Sequence, residues 1–191
     1  MLGFVGCGIQ SAESALDGGM GHGSDAGVDA PATSTGAGES ILDAADAKVP
    51  VYVALGSAPT NTAPSDALGW DLRIARTMIA TNSGTSGGGG AGVIATSAKS
   101  IDEPITCPTA GFAVDAMLPI PGPPGSGEYS GNPALAEWFN YDPATHTVTS
   151  KGIVYCVRTA NGKYGAIRIR NYTGGKMTVQ WRYQPSGSPV L

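Results

Sequence analysis

The sequence is poor in charged residues, and this scarcity limits the classes of function open to the protein. Asp, Glu, Lys and Arg make up 14% of the 191 residues, and the chain carries a net charge of -4 with a pI near 5.0. An acidic chain of this kind lacks the basic footprint that binds nucleic acid. No apolar run approaches the roughly 20 residues that a helix needs to cross a bilayer. We therefore expect neither nucleic-acid binding nor a membrane-spanning helix.

The motifs of common enzymes and metal sites are missing as well. The chain has two histidines, and only His146 lies in the region that we expect to fold. There is no Cys-x-x-Cys, His-Glu-x-x-His or calcium-loop spacing. Asp102 and Glu103 are neighbours in sequence, so in an extended segment they point to opposite faces and cannot act as an acid–base pair. The sequence therefore predicts a protein that is not an enzyme.

A glycine-rich stretch at residues 82–92 invites a nucleotide-binding interpretation, which its context excludes. Residues 87–92 satisfy G-x-G-x-x-G. A dinucleotide site needs these glycines to open a helix, but a β-prone run follows them at residues 93–96. No Gly-Lys-Ser/Thr ends the stretch, so a P-loop is excluded too. We expect a flexible loop between two strands.

What the sequence does have is glycine, proline and short alternating segments. Its 29 glycines and 14 prolines are typical of a turn-rich β protein. Trp70, Leu72 and Ile74 alternate with polar or small residues, which predicts a half-buried central strand. After Ile74 the apolar residues change parity, which predicts a bulge, a bend or burial of both faces.

The C-terminal part predicts an antiparallel meander whose apolar face covers the Trp70 strand. Asn161-Gly162 is the preferred pair for a type I′ hairpin turn, and Gly174-Gly175 marks a second turn. The predicted strands are 153–159, 164–170 and 177–183, with shorter ones at 51–55, 93–96 and 112–115. One helical turn is expected within 133–141, and the proline-rich stretch 118–127 is expected to be irregular. The predicted fold class is all-β and antiparallel, with long irregular loops.

The N-terminal residues predict a tether. Residues 1–7 end like a bacterial lipoprotein signal, in which Cys7 becomes the lipidated residue, although they are too short for a complete signal. We expect a start codon that is annotated too late; the alternative is an incidental cysteine. Residues 8–48 are rich in Gly, Ala, Ser, Asp and Thr without an aromatic residue, which predicts a disordered linker. The folded domain is then expected at residues 49–191.

The two remaining cysteines, Cys107 and Cys156, support export. An even pair in an oxidising compartment predicts a disulfide. The bond would tie a proline-flanked loop to the hairpin strand and contribute about 3 to 4 kcal/mol in the chain-entropy model. The alternative is two buried thiols.

Six segments of the chain, taken together and in order, resemble one family. They are Trp70-Asp-Leu, residues 76–82, Asn82-Ser-Gly-Thr-Ser-Gly, residues 108–115, Val157-Arg158 with Gly162-Lys-Tyr, and residues 167–172. Together they resemble the HmuY family of bacterial surface lipoproteins, whose best-known members bind haem. The resemblance implies an all-β fold at the outer membrane or cell surface, with a loop pocket for haem or a related tetrapyrrole. It also implies a role in iron acquisition, with an outer-membrane haem receptor or host haemoproteins as partners.

The resemblance does not extend to the iron ligands. In a well-known haem-binding member two histidines hold the iron, and neither is retained here. The first ligand region corresponds to residues 118–127, with Met117 and Tyr129 as its neighbours. The second falls near Tyr141, with His146 a few residues later. The candidates for iron contact that remain are His146 or Tyr141, and Met117 and Tyr129 are further candidates for the pocket.

Each candidate also has an ordinary structural explanation. His146 lies in an alternating polar run, which is typical of an exposed strand edge. Tyr141 precedes Asp142-Pro143 and fits a turn, although tyrosine ligates haem iron in some proteins. Met117 lies among apolar residues and fits core packing. Met78 is a still weaker candidate for a ligand. A second hypothesis stays open: a cell-surface interaction or adhesion module with the same fold that does not bind haem.

Overall fold

The computed structural model describes residues 36–120 and 125–191. In these residues it contains twelve short strands and one turn of 3₁₀ helix, joined by loops and turns. The strands are β1 (Gly36–Asp43), β2 (Val51–Val53), β3 (Leu72–Ala75), β4 (Met78–Thr81), β5 (Gly92–Ala95), β6 (Ala116–Pro119), β7 (Glu128–Gly131), β8 (Phe139–Asp142), β9 (Thr147–Ser150), β10 (Val154–Arg158), β11 (Tyr164–Thr173) and β12 (Lys176–Gln184). The 3₁₀ helix η1 spans Pro133–Leu135. All pairings between these strands are antiparallel, which confirms the predicted fold class.

The strands form one five-stranded sheet, one three-stranded sheet and two separate hairpins. The five-stranded sheet has the order β1-β12-β11-β10-β5, and the three-stranded sheet has the order β2-β3-β4. The hairpins are β6–β7 and β8–β9. Because β10, β11 and β12 are consecutive in both sequence and space, the predicted meander is confirmed. No helix among the residues described here is long and apolar enough to cross a membrane.

Strand β10 of the five-stranded sheet is buried on both faces. Along β10, Tyr155 and Val157 belong to one core cluster, while Val154 and Cys156 belong to another. Successive residues of a strand point to opposite faces, so each cluster covers one face of the sheet. The first cluster contains the core residues of the three-stranded sheet, which confirms that the meander covers the Trp70 strand.

The parity change after Ile74 marks a hairpin turn. β3 and β4 pair with Ile74 directly opposite Ile79, so the two side chains share one face although five positions separate them. The connection is Arg76-Thr77, and Arg76 adopts the left-handed conformation with φ of 55°. The Trp70 segment is therefore the middle strand of a small sheet and turns back at once, before the glycine-rich stretch.

The predicted linker is wrong for residues 36–43, which form strand β1. This strand pairs with β12 from Gly36 to Asp43, and its Leu42 is only 2% exposed. Gly38 lies against the Trp181 ring, where a Cβ would come within 2.9 Å of the indole. Pairing with a preformed edge and burial of Leu42 compensate for the weak strand propensity of two glycines. Residues 1–35, with Cys7 and the rest of the expected linker, lie outside the described residues.

Two turns of the meander differ in type. Gly174 and Gly175 both have positive φ, 58° and 81°, and they form a two-residue connection that fits a type I′ turn. At the other turn only Gly162 has positive φ, and its N–H donates to the Thr159 carbonyl at 3.0 Å. That geometry is a type I turn followed by a glycine bulge, so the predicted type I′ turn is wrong there.

The middle of the chain departs most from the predicted elements. The strand expected at 112–115 is reduced to an isolated bridge between Ala113 and Val93, and β6 follows it. The expected helical turn within 133–141 is confirmed only as η1, because the later residues enter β8. Residues 121–124 of the proline-rich stretch lie outside the described residues.

Candidate functional site

Asp71, one of the residues behind the family resemblance, joins separate parts of the fold. Its side chain is 6% exposed, and its two carboxylate oxygens accept hydrogen bonds from the N–H groups of Leu55 and Ala160, both at 2.8 Å. Burial raises the pKa of the Asp71 carboxyl, and the two backbone hydrogen bonds act in the opposite direction. Asp71 therefore connects the β2 end of the small sheet to the β10–β11 turn.

Asn82 organises the glycine-rich stretch, which is packed and hydrogen-bonded. Its amide donates to the Ala67 and Trp70 carbonyls at 2.7 and 3.0 Å, and its side-chain oxygen accepts from Gly89 N–H at 3.1 Å. A Cβ on Gly89 would lie 2.7 Å from the Asn82 carbonyl oxygen. The stretch is a loop between strands β4 and β5, as expected, and its glycines allow close backbone approach.

Asp115 forms a second buried polar centre beneath the same stretch. Its carboxylate accepts from Thr81 N–H at 2.8 Å, from the Thr81 hydroxyl at 2.5 Å and from the Asn132 amide at 3.1 Å. All three residues are nearly inaccessible to solvent. Because these groups are satisfied within the fold, the motif residues form a scaffold, and a ligand site must use other side chains.

The predicted disulfide is confirmed between Cys107 and Cys156. The Cα atoms of the two cysteines are 5.6 Å apart across a sequence separation of 49 residues. Cys107 is 2% exposed and Cys156 is fully buried, so the bond lies in the second core cluster. It fixes the loop around Cys107 to the middle of β10.

Tyr141 and His146 lie together on the β8–β9 hairpin. The Tyr141 hydroxyl and His146 Nδ1 are 2.6 Å apart, a short hydrogen bond in which the tautomer of the imidazole decides which atom donates. Tyr141 is 53% exposed, and His146 is exposed as well. The structure thus brings together the two residues expected to contact iron, in a place where a ligand can reach both.

The loop that presents His146 is held by its own side chains. The Asp142 carboxylate accepts from Ala144 N–H at 2.9 Å and from the Thr145 hydroxyl at 2.8 Å. The Thr145 hydroxyl, with help from the Ala144 N–H, holds the pKa of the Asp142 carboxyl below its ordinary value. Pro143 restricts the first loop position, and His146 ends the loop with φ of 53°. Histidine tolerates this left-handed conformation better than most residues.

A surface groove of about 460 Å³ begins at His146. One wall consists of strand β9, and the other consists of residues 170–174 at the end of β11, which include the cationic Arg170. Tyr141 lies directly opposite Val148 in the hairpin, and Val148 lines the groove, but Tyr141 itself is not among the lining residues. Sequence reasoning missed Arg170 and the groove, because only tertiary contact brings β9 beside β11.

Met117 and Tyr129 belong to a different hairpin, β6–β7. Tyr129 lines a smaller cleft of about 210 Å³ together with Met78 and Arg73, whereas Met117 pairs with Ser130 one position further along. Met117 is 51% exposed, so the core-packing alternative for it is wrong. Burial raises the pKa of the Tyr129 hydroxyl, and the Asp115 charge raises it further. This phenol is therefore harder to deprotonate than an ordinary tyrosine.

The donor set at the hairpin is small. Among residues 36–120 and 125–191 no group of three or more His, Cys, Asp or Glu side chains could hold a metal ion. The Asp142 carboxylate is engaged in the loop, which leaves the phenol and the imidazole as the available donors. Two donors are fewer than the three or four side chains with which proteins usually hold a metal ion.

Solved structures of bacterial proteins share this fold. A candidate HmuY-like haem-binding protein from Bacteroides vulgatus has a TM-score of 0.58 at 21% identity, with 78% of this chain and 92% of that chain covered. The apo form of an HmuY analogue from Tannerella forsythia has a TM-score of 0.60 at 18% identity, with 80% and 97% covered. A candidate lipoprotein from Bacteroides fragilis has a TM-score of 0.56 at 22% identity, with 78% and 91% covered.

Sequence comparison gives the family. No curated protein matches the chain. The family model described as HmuY protein matches residues 46–183, a stretch that holds the scaffold around Asp71 and Asn82, the disulfide and the β8–β9 hairpin. Since this match covers more than half of the sequence, the chain belongs to the HmuY family.

Proposed function

We propose that the protein binds haem or a related tetrapyrrole at the β8–β9 hairpin and serves iron acquisition at the bacterial cell surface. Membership of the HmuY family and the likeness to a candidate haem-binding protein support the ligand class. The observation that carries the proposal is the exposed Tyr141–His146 pair, with 2.6 Å between its phenolic oxygen and Nδ1. Both side chains are donors that haem proteins use for iron.

The groove beside His146 offers space and a positive charge for an anionic ligand. Ferric haem would supply an iron that Tyr141 or His146 could hold through the phenol or the imidazole, and it would bring two peripheral carboxylates. The groove at His146, of about 460 Å³, falls within the usual size of small-molecule sites. Arg170 in its far wall would pair with an anionic propionate, since guanidinium binds carboxylates through charge-assisted hydrogen bonds.

We further propose that the protein is exported and attached through lipid on Cys7, with residues 8–35 as the spacer. The Cys107–Cys156 disulfide supports export, because such bonds persist in oxidising compartments. The likeness to a candidate lipoprotein from Bacteroides fragilis supports the anchor. In this setting host haemoproteins would supply the haem, and an outer-membrane receptor would take it up.

A haemin titration tests the proposed function. We expect a saturable change of the Soret band that ends at one haemin per chain, with haemin and protein eluting together in gel filtration. The matched control is the double variant Tyr141→Phe/His146→Ala, which removes both donors at exposed positions and should bind much more weakly. A folded wild-type protein without saturable binding would defeat the proposal.

A second candidate function is an interaction or adhesion module that has kept the fold without the cofactor. The observation that favours it is the exposure of Val114, just before β6, and of Met117, within β6, at 52% and 51%. Exposed apolar side chains that lie close together often mark contact surfaces. This candidate takes precedence if the folded protein fails the haemin titration.

A further inference from the structure

We propose that strand β1 pairs through its outer edge with β1 of a second copy of the chain, so that two five-stranded sheets join into one. β1 (Gly36–Asp43) is the outermost strand of its sheet, and among the described residues only β12 pairs with it. An edge strand of this kind presents a row of backbone N–H and C=O groups to which another strand can bond. The inference does not depend on haem binding.

Strand β1 lacks the features with which proteins usually protect an edge. Protected edge strands are very short, carry Lys or Pro, contain a bulge or are covered by another segment. β1 runs for eight residues without Lys or Pro, and its register with β12 is unbroken. Every other edge strand in residues 36–120 and 125–191 has at most four residues. The opposite edge of the same sheet, β5, is also bridged by Ala113.

The pairing with β12 determines which backbone groups of β1 face outwards. Ala44 N–H donates to the Gly175 carbonyl at 2.9 Å, one step beyond the last strand pair, Asp43 opposite Lys176. Along an antiparallel ladder, pairs that exchange hydrogen bonds alternate with pairs that do not. The even-numbered residues of β1 therefore bond to β12. The residues whose N–H and C=O groups point outwards are Ala37, Glu39, Ile41 and Asp43.

The charges on this edge select one symmetric register. A twofold axis at Glu39 pairs residues 36–42 of the two copies, and an axis at Ser40 pairs residues 37–43, whereas any other centre pairs five residues or fewer. The axis at Glu39 places the two Glu39 carboxylates directly opposite each other, which destabilises a sheet. The axis at Ser40 places each Glu39 opposite Ile41 of the other copy, and no like charges oppose each other. The edge is therefore complementary to itself about Ser40.

The same register covers the exposed apolar side chain of the edge. Ile41 is 67% exposed in the single chain. With the axis at Ser40, the two Ile41 side chains lie on one face as diagonal neighbours across the new strand pair. Their burial adds to the backbone hydrogen bonds. Because one strand pair is smaller than a standard protein interface, we expect a weak dimer.

Sedimentation equilibrium of the full-length protein, between about 5 and 500 µM, tests the inference. The mass should rise with concentration from 19.2 kDa towards twice that value, with a dissociation constant of about 100 µM. Ile41→Glu should weaken the dimer by about tenfold or more, because each new carboxylate opposes Glu39 of the other copy.

The double variant Glu39→Lys/Ile41→Glu is the matched control for the register. It should restore the wild-type dissociation constant within about threefold, because each new ammonium group then opposes a new carboxylate. Within one chain the two positions face the uncharged Gln180 and Thr178 of β12, so the exchange creates no like-charge pair across the β1–β12 ladder. Both positions are exposed, and thermal unfolding of dilute protein should show that the variants keep the fold.

Three outcomes would overturn the inference. A wild-type protein that stays at 19.2 kDa throughout has this edge covered by its own N-terminal residues, reserved for another protein or simply unpaired. A dimer that Ile41→Glu leaves unchanged uses a different surface. A dimer that Ile41→Glu weakens, and that the double variant fails to restore, does not have its axis at Ser40. Since no haemin is added, none of these results bears on the proposed function.

Discussion

Asp71 shows what a residue behind the family resemblance does in the fold. Its carboxylate accepts hydrogen bonds from Leu55 and Ala160, which lie 16 positions before and 89 positions after it in the sequence. A buried acceptor of this kind stabilises the contact between chain segments that are far apart in the sequence. The Tyr141–His146 pair is the reverse case, since both side chains are exposed and their hydrogen bond joins neighbouring parts of one hairpin.

We predict that Asp71→Asn lowers the free energy of unfolding by about 1 to 3 kcal/mol, because an amide nitrogen then faces a backbone N–H that loses its acceptor. Urea unfolding measures this loss. The exposed Asp66 accepts one backbone N–H, from Leu68 at 2.9 Å, so Asp66→Asn is the matched control and should cost much less. Equal losses in the two variants would contradict the role given to Asp71.

The pH dependence of this prediction has a definite sign. Burial raises the pKa of Asp71 above its ordinary value of 3.8, so the folded protein holds this proton more tightly than the unfolded chain does. The stabilisation linked to Asp71 is therefore complete below that value and is lost as the pH rises through the raised pKa. The cost of Asp71→Asn should accordingly fall over the same window. A cost that grew with pH would contradict burial as the main cause of the shift.

At the scale of elements, the glycine-rich stretch shows what its sequence-based prediction left out. Composition identified it as a loop and its context excluded a nucleotide site, but the glycines also let the backbone pack. Gly84 has φ of 51°, and a Cβ there would collide with the carbonyl oxygen of Asp115. Gly88 lies in open space with φ outside the left-handed region. Within one loop, therefore, position 84 requires glycine and position 88 does not.

We predict that Gly84→Ala destabilises the protein by about 2 to 4 kcal/mol, from left-handed strain and the backbone collision together. Gly88→Ala meets neither obstacle and should change stability by less than about 1 kcal/mol. Denaturant midpoints for the two variants, measured side by side, decide the matter. Similar midpoints would show that the stretch is a free loop after all.

For the whole molecule, the sequence predicts the architecture better than the details. The alternation in 177–183 and the turn glycines suffice to place the β10–β12 meander, because these signals are local. Strand β1 escaped prediction because its two glycines carry no strand propensity and its partner β12 lies more than 130 positions away. The disulfide could be proposed from cysteine arithmetic, but only the structure distinguishes it from two buried thiols.

The candidate site was predictable in part. Tyr141 and His146 came from the family resemblance, and the Asp142-Pro143 pair with Thr145 is a turn signal that could have predicted their loop. The hydrogen bond between them depends on the left-handed conformation of His146, which no sequence pattern specifies. Arg170 reaches the groove only through the packing of β9 beside β11, a contact between segments that share no sequence motif.

The most direct test of the account asks which hairpin holds the ligand. We would measure haemin dissociation constants for the wild-type protein, for Tyr141→Phe/His146→Ala on β8–β9 and for Met117→Ala/Tyr129→Phe on β6–β7. If the β8–β9 hairpin holds the haem, the β8–β9 variant should lose about 100-fold or more in affinity, while the β6–β7 variant should stay within about threefold of wild type. A β6–β7 variant that loses binding, beside a β8–β9 variant that keeps it, would contradict the account.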